Sequence, residues 1–225
     1  MFGVLQFPGS CDERDALAAC ERVGEARMVW HEETSLDGID AVVVPGGFSY
    51  GDYLRAGAIA RFAPVMEAVR RFADDGGPVL GICNGFQVLC EAGLLPGALL
   101  PNDGLRFLSR QVDLEVVSTD SAFTRGLEIE DFLSVPVKHM SGRYFAPTDV
   151  LDELEARGQV VLRYAPGQNP NGSSRDIAGV ANEAGNVMGL MPHPEHAVDP
   201  LTGSADGACL FESLVAHVGE LVAAA

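Results

Sequence analysis

Short runs of apolar residues alternate with helical patterns in the first half of the chain, and this alternation limits the possible folds more than any other feature. The runs lie at residues 3–7, 26–30, 41–44 and 79–82, each bounded by turn residues. Apolar side chains recur at three- and four-residue spacing over residues 13–23 and 58–72, which predicts two amphipathic helices. Strands that are apolar along their whole length are typical of a parallel sheet covered on both faces. We therefore expect an α/β fold, a three-layer sandwich around a central mostly parallel sheet.

The second half is less regular and is expected to add further strands and a last helix. Strand-like segments lie at residues 112–118, 133–137, 160–164, 177–181 and 187–191. A helix is predicted from residue 205 to about residue 222. Because no internal repeat, linker or low-complexity segment divides the chain, we expect a single domain over residues 1–225.

Charge and hydropathy argue against several classes of protein. The net charge is −17, with one lysine, Lys138, against 14 arginines. Such a chain lacks the basic surface that binds nucleic acid. No apolar run reaches the roughly 18 residues of a transmembrane helix. The N-terminus also lacks the basic region and cleavage site of a signal peptide. We expect a cytoplasmic protein without nucleic-acid or membrane partners.

The excess of acidic residues is interpreted as an adaptation to high salt. Salt screens the repulsion among carboxylates, since the Debye length falls to about 3 Å at 1 M ionic strength. A solvated surface that keeps the protein soluble, or chance, is the alternative interpretation.

The five cysteines argue against a disulfide framework or a thiolate metal site. Their number is odd, and no Cys-x-x-Cys pair occurs. We expect most of them to be small buried side chains, with at most one or two chemically active. No metal site and no cofactor are expected in this chain.

Cys83 is the candidate nucleophile. Residues 78–90 read Pro-Val-Leu-Gly-Ile-Cys-Asn-Gly-Phe-Gln-Val-Leu-Cys, so a buried strand is expected to end at Ile82 and a helix to begin at Asn84. Gly-x-Cys-x-Gly is the cysteine version of the nucleophile elbow, a sharp turn whose small neighbours avoid clashes. The helix N-terminus favours a thiolate, and the Asn84 amide could donate to an oxyanion. The alternative is a buried structural cysteine.

His193 and Glu195 are the candidate base and orienting acid. Residues 189–199 read Gly-Leu-Met-Pro-His-Pro-Glu-His-Ala-Val-Asp. A cysteine nucleophile needs a base, usually histidine, that a third group holds in place. The prolines on either side of His193 favour an extended segment, in which residues two apart point to the same side. The alternative is a loop histidine beside a surface carboxylate.

Gly46 and Gly47 follow the third apolar run and precede an aromatic and polar loop. Paired glycines let backbone amides approach a ligand closely. The loop lacks the Gly-Lys-Ser/Thr of a phosphate-binding P-loop. We therefore interpret it as an oxyanion loop that uses the amides near Gly47, rather than as a phosphate cradle.

Together these segments are similar to those of a known family. Residues 45–55 read Pro-Gly-Gly-Phe-Ser-Tyr-Gly-Asp-Tyr-Leu-Arg, residues 81–87 Gly-Ile-Cys-Asn-Gly-Phe-Gln and residues 191–195 Met-Pro-His-Pro-Glu, with further matches at 29–37 and 93–97. The chain resembles class I (triad-type) glutamine amidotransferases, and more closely the glutaminase subunits of phosphoribosylformylglycinamidine synthase. The resemblance covers nearly the whole chain, and its first two motifs are specific to those subunits. It implies the flavodoxin-like fold of the class.

The resemblance implies a role for each catalytic candidate. Cys83 would form a γ-glutamyl thioester. His193 would act as base and then as acid, with Glu195 as its partner. The backbone amides of Gly47 and Asn84 would form the oxyanion hole.

The resemblance also implies a substrate and partners. Gln87 would contact the substrate glutamine. The ammonia would pass to a large synthase subunit, which would convert formylglycinamide ribonucleotide to the amidine with ATP in purine synthesis. ATP and magnesium are expected on that subunit, and a small third subunit is expected in the complex.

Three departures from the family pattern lie outside the catalytic candidates. The loop at residues 8–12 is one residue shorter than usual, and His196 stands where arginine is common. Residues 137–143 replace a usual His-Gly-Glu-Gly pattern; they retain His139 but lack the acidic residue. A contact to substrate or partner at His139 is therefore in doubt.

Two other functions are the alternatives. A stand-alone cysteine hydrolase or chaperone with the same elbow would place an acidic residue near it and lack Pro-His-Pro-Glu. Ammonia release from glutamine separates that function from an amidotransferase. A non-catalytic subunit would not need Cys83, His193 and Glu195 together.

Overall fold

A central β-sheet organises the structure, a computed structural model that describes residues 1–224. The strands in chain order are β1 (Phe2–Gln6), β2 (Ala26–Trp30), β3 (Ala41–Val44), β4 (Val79–Ile82), β5 (Ala98–Leu100), β6 (Leu108–Val116), β7 (Phe132–His139), β8 (Arg143–Phe145), β9 (Val160–Tyr164), β10 (Ile177–Ala181) and β11 (Val187–Leu190). Nine of them form one sheet, in the order β2-β1-β3-β4-β11-β10-β9-β6-β7. β5 and β8 form a separate antiparallel pair.

Most strands of the large sheet run in the same direction. Neighbouring strands from β2 to β11 pair in parallel. From β11 to β7 every pair is antiparallel. Because two reversals restore the original direction, only β10 and β6 oppose the other strands of this sheet. The sheet is therefore mostly parallel in direction, as the sequence predicts.

Helices cover both faces of this sheet. In the described residues they are α1 (Glu13–Glu21), α2 (Pro64–Asp74), α3 (Asn84–Glu91), α4 (Thr148–Ala156) and α5 (Ala208–Ala224). α1 leads from β1 to the neighbour on one side, and α2 leads from β3 to β4 in the other direction. Because crossovers between parallel strands are right-handed, these two helices lie on opposite faces. α5 packs against α1. The result is the expected three-layer α/β sandwich.

The central strands are buried along their whole length. Every residue of β3, β4 and β11 is buried. A strand with helices on both faces has no solvent-exposed side, which explains why these strands appear in the sequence as continuous apolar runs.

The predicted helix over residues 58–72 is wrong in its first part. Ala60–Phe62 form a short 3-10 turn, and α2 begins only at Pro64. Proline disfavours the α conformation in the preceding residue, and Ala63 is extended, with φ −61° and ψ 143°. Phe62, expected on the buried face, is 73% exposed, and the Arg61 guanidinium lies 4.3 Å from its ring centroid.

The remaining elements agree with prediction, apart from their ends and two additions. β6 begins at Leu108 and ends at Val116, rather than at residues 112 and 118, and β7 extends beyond the predicted strand at both ends. The last helix begins at Ala208 rather than at residue 205. The sequence patterns do not predict α4 or the β5–β8 pair. α4 has nine residues and buries only Leu151 and Leu154, and β5 has only three residues. Within residues 1–224, none of the helices is both long and apolar enough to cross a membrane.

Candidate active site

The predicted site residues lie at the carboxyl edge of the parallel strands. Cys83 directly follows β4, Gly47 follows β3, and His193 follows β11. β3, β4 and β11 are neighbouring parallel strands, so the three loops meet at one edge of the sheet. Ligands of open α/β sheets bind at this edge.

The backbone at Cys83 has the geometry of a nucleophile elbow. Cys83 has φ 51° and ψ −104°, in a region that residues with a side chain rarely adopt. A Cβ on Gly81 would lie 2.9 Å from the carbonyl carbon of Gly85. A Cβ on Gly85 would overlap the carbonyl oxygen of Val44. Both flanking glycines are therefore required by close packing, as the sequence predicts.

His193 and Glu195 form a buried pair. Nδ1 of His193 lies 2.6 Å from Oε1 of Glu195, and both side chains are fully buried. The segment is not extended as predicted, because Pro194–His196 form a 3-10 turn that begins at the second proline. That turn still places the two side chains next to each other. Among the described residues, Nε2 of His193 finds no hydrogen-bond partner, so this ring nitrogen is available for proton transfer.

The surroundings of His193 favour its protonated form. Burial would lower the pKa of His193, but the Glu195 carboxylate and the Cys83 sulfur outweigh burial and raise that pKa to about 10. The surroundings therefore stabilise the imidazolium form of the ring. A cation beside a cysteine stabilises the thiolate, which is the nucleophilic form.

A small cavity opens beside Cys83, with a volume of about 120 Å³. Gly47, Gln87, His139 and Ser141 also line it. The structure thus brings the predicted nucleophile, the oxyanion loop and Gln87 to one cavity.

Asn84 contributes both its backbone amide and its side chain to the site. As the first residue of α3, its backbone amide has no acceptor within the helix. Its side-chain Oδ1 accepts a hydrogen bond from Ser49 N at 3.0 Å, and its Nδ2 donates to Asp52 Oδ1 at 3.0 Å and to Gln87 Oε1 at 2.9 Å. Gln87 Nε2 in turn donates to the Ser141 carbonyl at 2.6 Å. The Asn84 side chain therefore fixes the glycine-rich loop against the elbow, a role that the sequence does not predict.

His139 is a buried neutral histidine. Its Nδ1 donates to Asn102 Oδ1 at 3.1 Å, and its Nε2 lies 3.5 Å from Nδ2 of Asn171. Burial, reinforced by the charge on His193, lowers the pKa of His139 to about 4. Both ring nitrogens contact protein groups, so the ring holds the loop around Gly142, although one edge of it borders the cavity.

The sequence interpretation missed a buried carboxylate beside the candidate base. Asp12 is 4% exposed, and its Oδ2 lies 3.8 Å from Nδ1 of His193. The ammonium of Lys138 forms an ion pair with Asp12 and lies 2.9 Å from Nε2 of His196. Two signals in the sequence could have found this group: Asp12 follows β1 at the same sheet edge, and Lys138 is the only lysine in the chain.

One cluster in the described part of the chain has the spacing of a metal site. The ligand atoms of Asp12, His193, Glu195 and His196 lie within 4.8 Å of one another. The ammonium of Lys138 already bonds to Asp12, lies 2.9 Å from Nε2 of His196 and supplies positive charge at that point. We therefore assign no metal to this cluster.

Comparison with known sequences identifies the family. The CobB/CobQ-like glutamine amidotransferase domain matches residues 2–208. A relative from Salinibacter ruber, named phosphoribosylformylglycinamidine synthase subunit PurQ, is 55% identical, and the match covers 99% of this chain and 98% of the relative. A relative of the same name from Mycobacterium tuberculosis is 62% identical, and the match covers 94% of each chain.

Comparison with solved structures agrees with the sequence relationship. A chain in the structure of PurLQS from Thermotoga maritima is 43% identical and superposes with a TM-score of 0.88. The superposition covers 96% of this chain and 98% of that one. Sequence and fold thus match over nearly the whole length of the chain. This agrees with the sequence analysis, in which the resemblance to the family covers nearly the whole chain. This chain belongs to the CobB/CobQ-like glutamine amidotransferases and, within them, to the PurQ subunits of phosphoribosylformylglycinamidine synthase.

Proposed function

We propose that this chain is the glutaminase subunit of phosphoribosylformylglycinamidine synthase. It hydrolyses glutamine to glutamate and ammonia, and the ammonia is used to convert formylglycinamide ribonucleotide to formylglycinamidine ribonucleotide. The observation that carries the proposal is the buried His193–Glu195 pair beside the strained Cys83, in a chain of this family.

In the first half of the reaction the Cys83 thiolate attacks the side-chain carbonyl carbon of glutamine. The amides of Gly47 and Asn84 donate to the oxyanion that forms. His193 then gives its Nε2 proton to the departing nitrogen, so that ammonia leaves and a γ-glutamyl thioester remains on Cys83.

In the second half water cleaves the thioester. His193, now neutral, accepts a proton from the water as it attacks, and the imidazolium forms again. Glutamate leaves, and Cys83 returns to its thiolate form. Glu195 holds the ring through Nδ1 in both halves, so that Nε2 always faces the reacting atoms.

Gln87 contacts the bound glutamine in this proposal. It lines the cavity beside Cys83, and its own amide is held by Asn84 and by the Ser141 carbonyl. A side chain fixed at both ends can orient a substrate with little loss of rotamer entropy on binding. We propose that residues 1–225 work as a single amidotransferase domain, because one continuous sheet carries all the site residues.

A large synthase subunit and a small third subunit are the proposed partners. The curated relatives are named as synthase subunits, and the Thermotoga maritima structure is of PurLQS. ATP and magnesium are assigned to the large subunit. A cytoplasmic location suits a chain whose proposed nucleophile must remain a free thiol, since that compartment keeps thiols reduced.

The test is the fate of the amide nitrogen. The complex is reconstituted with the large and small subunits, ATP, magnesium, the ribonucleotide and glutamine labelled with ¹⁵N in the amide. We expect the label in the amidine product. Cys83→Ala should abolish transfer from glutamine, whereas free ammonium should still support synthesis by the variant complex. Glutamate formation without transfer of label would instead indicate a stand-alone hydrolase.

A further inference from the structure

Two segments outside the proposed triad meet near Nδ1 of His193, the ring nitrogen that faces Glu195. The loop after β1 brings Asp12 to 3.8 Å from Nδ1 of His193, measured from Oδ2. The other oxygen of that carboxylate, Oδ1, pairs with the ammonium of Lys138 on β7. Nε2 of His196 lies 3.3 Å from the same Oδ1. Asp12 therefore joins the imidazole on one side to a cation on the other.

We propose that Asp12 is a second carboxylate partner of His193, and that Lys138 is its counter-charge, so that the Asp12–Lys138 pair positions the ring and sets how firmly it holds its proton. This inference rests on the proposed function. It assigns a role to the only lysine of the chain and to the shortened loop at residues 8–12.

Charge balance explains why both members of the pair are needed. Glu195, Asp12 and Cys83 all favour a positive charge on His193, whereas its neighbour His139 is neutral and adds no charge. The ring of His196 lies 5.4 Å from that of His193, between centroids. Asp12 helps to keep His193 protonated at rest, and Lys138 neutralises part of the Asp12 charge, so that His193 can still release its proton to the departing nitrogen.

The protonation of Asp12 is consistent with this arrangement. Burial would raise the pKa of Asp12, but hydrogen bonds to His196 and Lys138 and the charge on His193 outweigh burial and hold that pKa well below its usual range. The carboxylate is therefore ionised throughout the working range of pH.

Gly46 makes the contact between Asp12 and His193 possible. A Cβ on Gly46 would overlap Oδ2 of Asp12 and lie 2.9 Å from Cε1 of His193. The oxyanion loop must therefore have no side chain where the carboxylate and the ring meet. The same network also reaches the nucleophile, because the carbonyl oxygen of Lys138 lies 4.0 Å from Sγ of Cys83.

The test is the titration of His193 in variants of the two charged residues. The chain is labelled with ¹⁵N-histidine, and ring nitrogen shifts are followed against pH, with His193 assigned from a His193→Asn sample. Asp12→Asn leaves the Lys138 cation unbalanced near the ring, so the titration midpoint should fall by about one pH unit. Lys138→Met leaves Asp12 unbalanced, so the midpoint should rise. The double variant should lie between Asp12→Asn and the parent.

Glu183→Gln is the matched control, because it removes one carboxylate that is 76% exposed, pairs with Arg157 and precedes β11, whereas His193 follows that strand. It should leave the midpoint unchanged. Glutaminase activity of the assembled complex is measured beside each titration, and Asp12→Asn should lower kcat/KM about tenfold.

The two single variants distinguish charge from packing. Shifts in opposite directions support the proposal, whereas shifts in the same direction, or no shift in either single variant, would overturn it. A parent complex without glutaminase activity would overturn the proposed function instead, and the titrations would still decide whether the Asp12–Lys138 pair controls the ring.

Discussion

Oε1 of Glu195 lies 2.6 Å from Nδ1 of His193, and neither side chain is exposed to solvent. This short contact fixes the plane of the imidazole and leaves its other nitrogen for chemistry. It forms across a two-residue separation because a 3-10 turn starts at Pro194. The family's Pro-His-Pro-Glu motif thus describes a geometry as well as a set of functional groups.

Replacing Glu195 with glutamine should lower glutaminase kcat about 100-fold, within the range of a lost acid–base contribution. The carboxylate is the strongest of the groups that raise the pKa of His193, so the variant should also have a lower His193 pKa. Steady-state glutamate formation by the complex measures the first effect. Glu183→Gln is the control, because this side chain is 76% exposed and pairs with Arg157 on the surface. Equal activity of the two variants would show that Glu195 does not orient the base.

Replacing Gly85 with alanine should destabilise the fold by about 3 kcal/mol, a typical cost of forcing a group into a packed site. The new methyl group would overlap the carbonyl oxygen of Val44 at the end of β3. Urea unfolding of the isolated chain measures the change. Gly104→Ala serves for comparison, since a Cβ there meets nothing within 4 Å and the backbone needs no positive φ. Similar midpoints for both variants would mean that the elbow is less tightly packed than the structure indicates.

His139 should make the protein less stable in mild acid. Its pKa is about 4 in the folded state and about 6.5 when unfolded. Between these values the unfolded chain binds more protons, so the free energy of unfolding falls as pH falls. The loss attributable to this ring should be about 2 kcal/mol between pH 6.5 and 4.5. Urea unfolding of the parent and of His139→Gln at both pH values isolates it, because other titrating groups cancel in the difference. An equally steep pH dependence in the variant would contradict this assignment.

The melting temperature should rise between low salt and molar KCl. With a net charge of −17, the excess carboxylates repel one another in the folded state, and salt screens that repulsion. Thermal unfolding followed by circular dichroism measures the effect. An unchanged or lower melting temperature in molar KCl would contradict the hypothesis that the acidic composition is an adaptation to salt.

The sequence predicts the parallel part of the sheet well because burial on both faces leaves a simple pattern. β2, β3 and β4 occupy the predicted residues. The elbow is equally predictable, since two glycines around a cysteine between a strand and a helix allow few other geometries. Where a structural feature depends on local sterics, as the elbow does, a single sequence is sufficient to predict it.

Long-range relationships are the part that the sequence could not supply. Asp12 and Lys138 lie 126 residues apart. They follow or lie on strands far apart in the sheet order, β1 and β7, so only the tertiary fold brings them together. The start of α2 is a different kind of error, because the sequence does contain the relevant signal. Pro64 disfavours a helical conformation at Ala63, but the prediction followed the apolar spacing instead. The side chain of Asn84 shows a third kind, because its partners lie on a loop whose path the sequence does not fix.

Glutamate formation by the assembled complex tests the central claim most directly. Cys83→Ala is compared with Cys209→Ala, which removes a partly buried thiol at the start of α5. With Cys83 as nucleophile, Cys83→Ala should lose at least 1000-fold in kcat, roughly the loss on removing such a nucleophile, and Cys209→Ala should retain activity. Glutamate formed at the parent rate by Cys83→Ala would contradict the proposed mechanism.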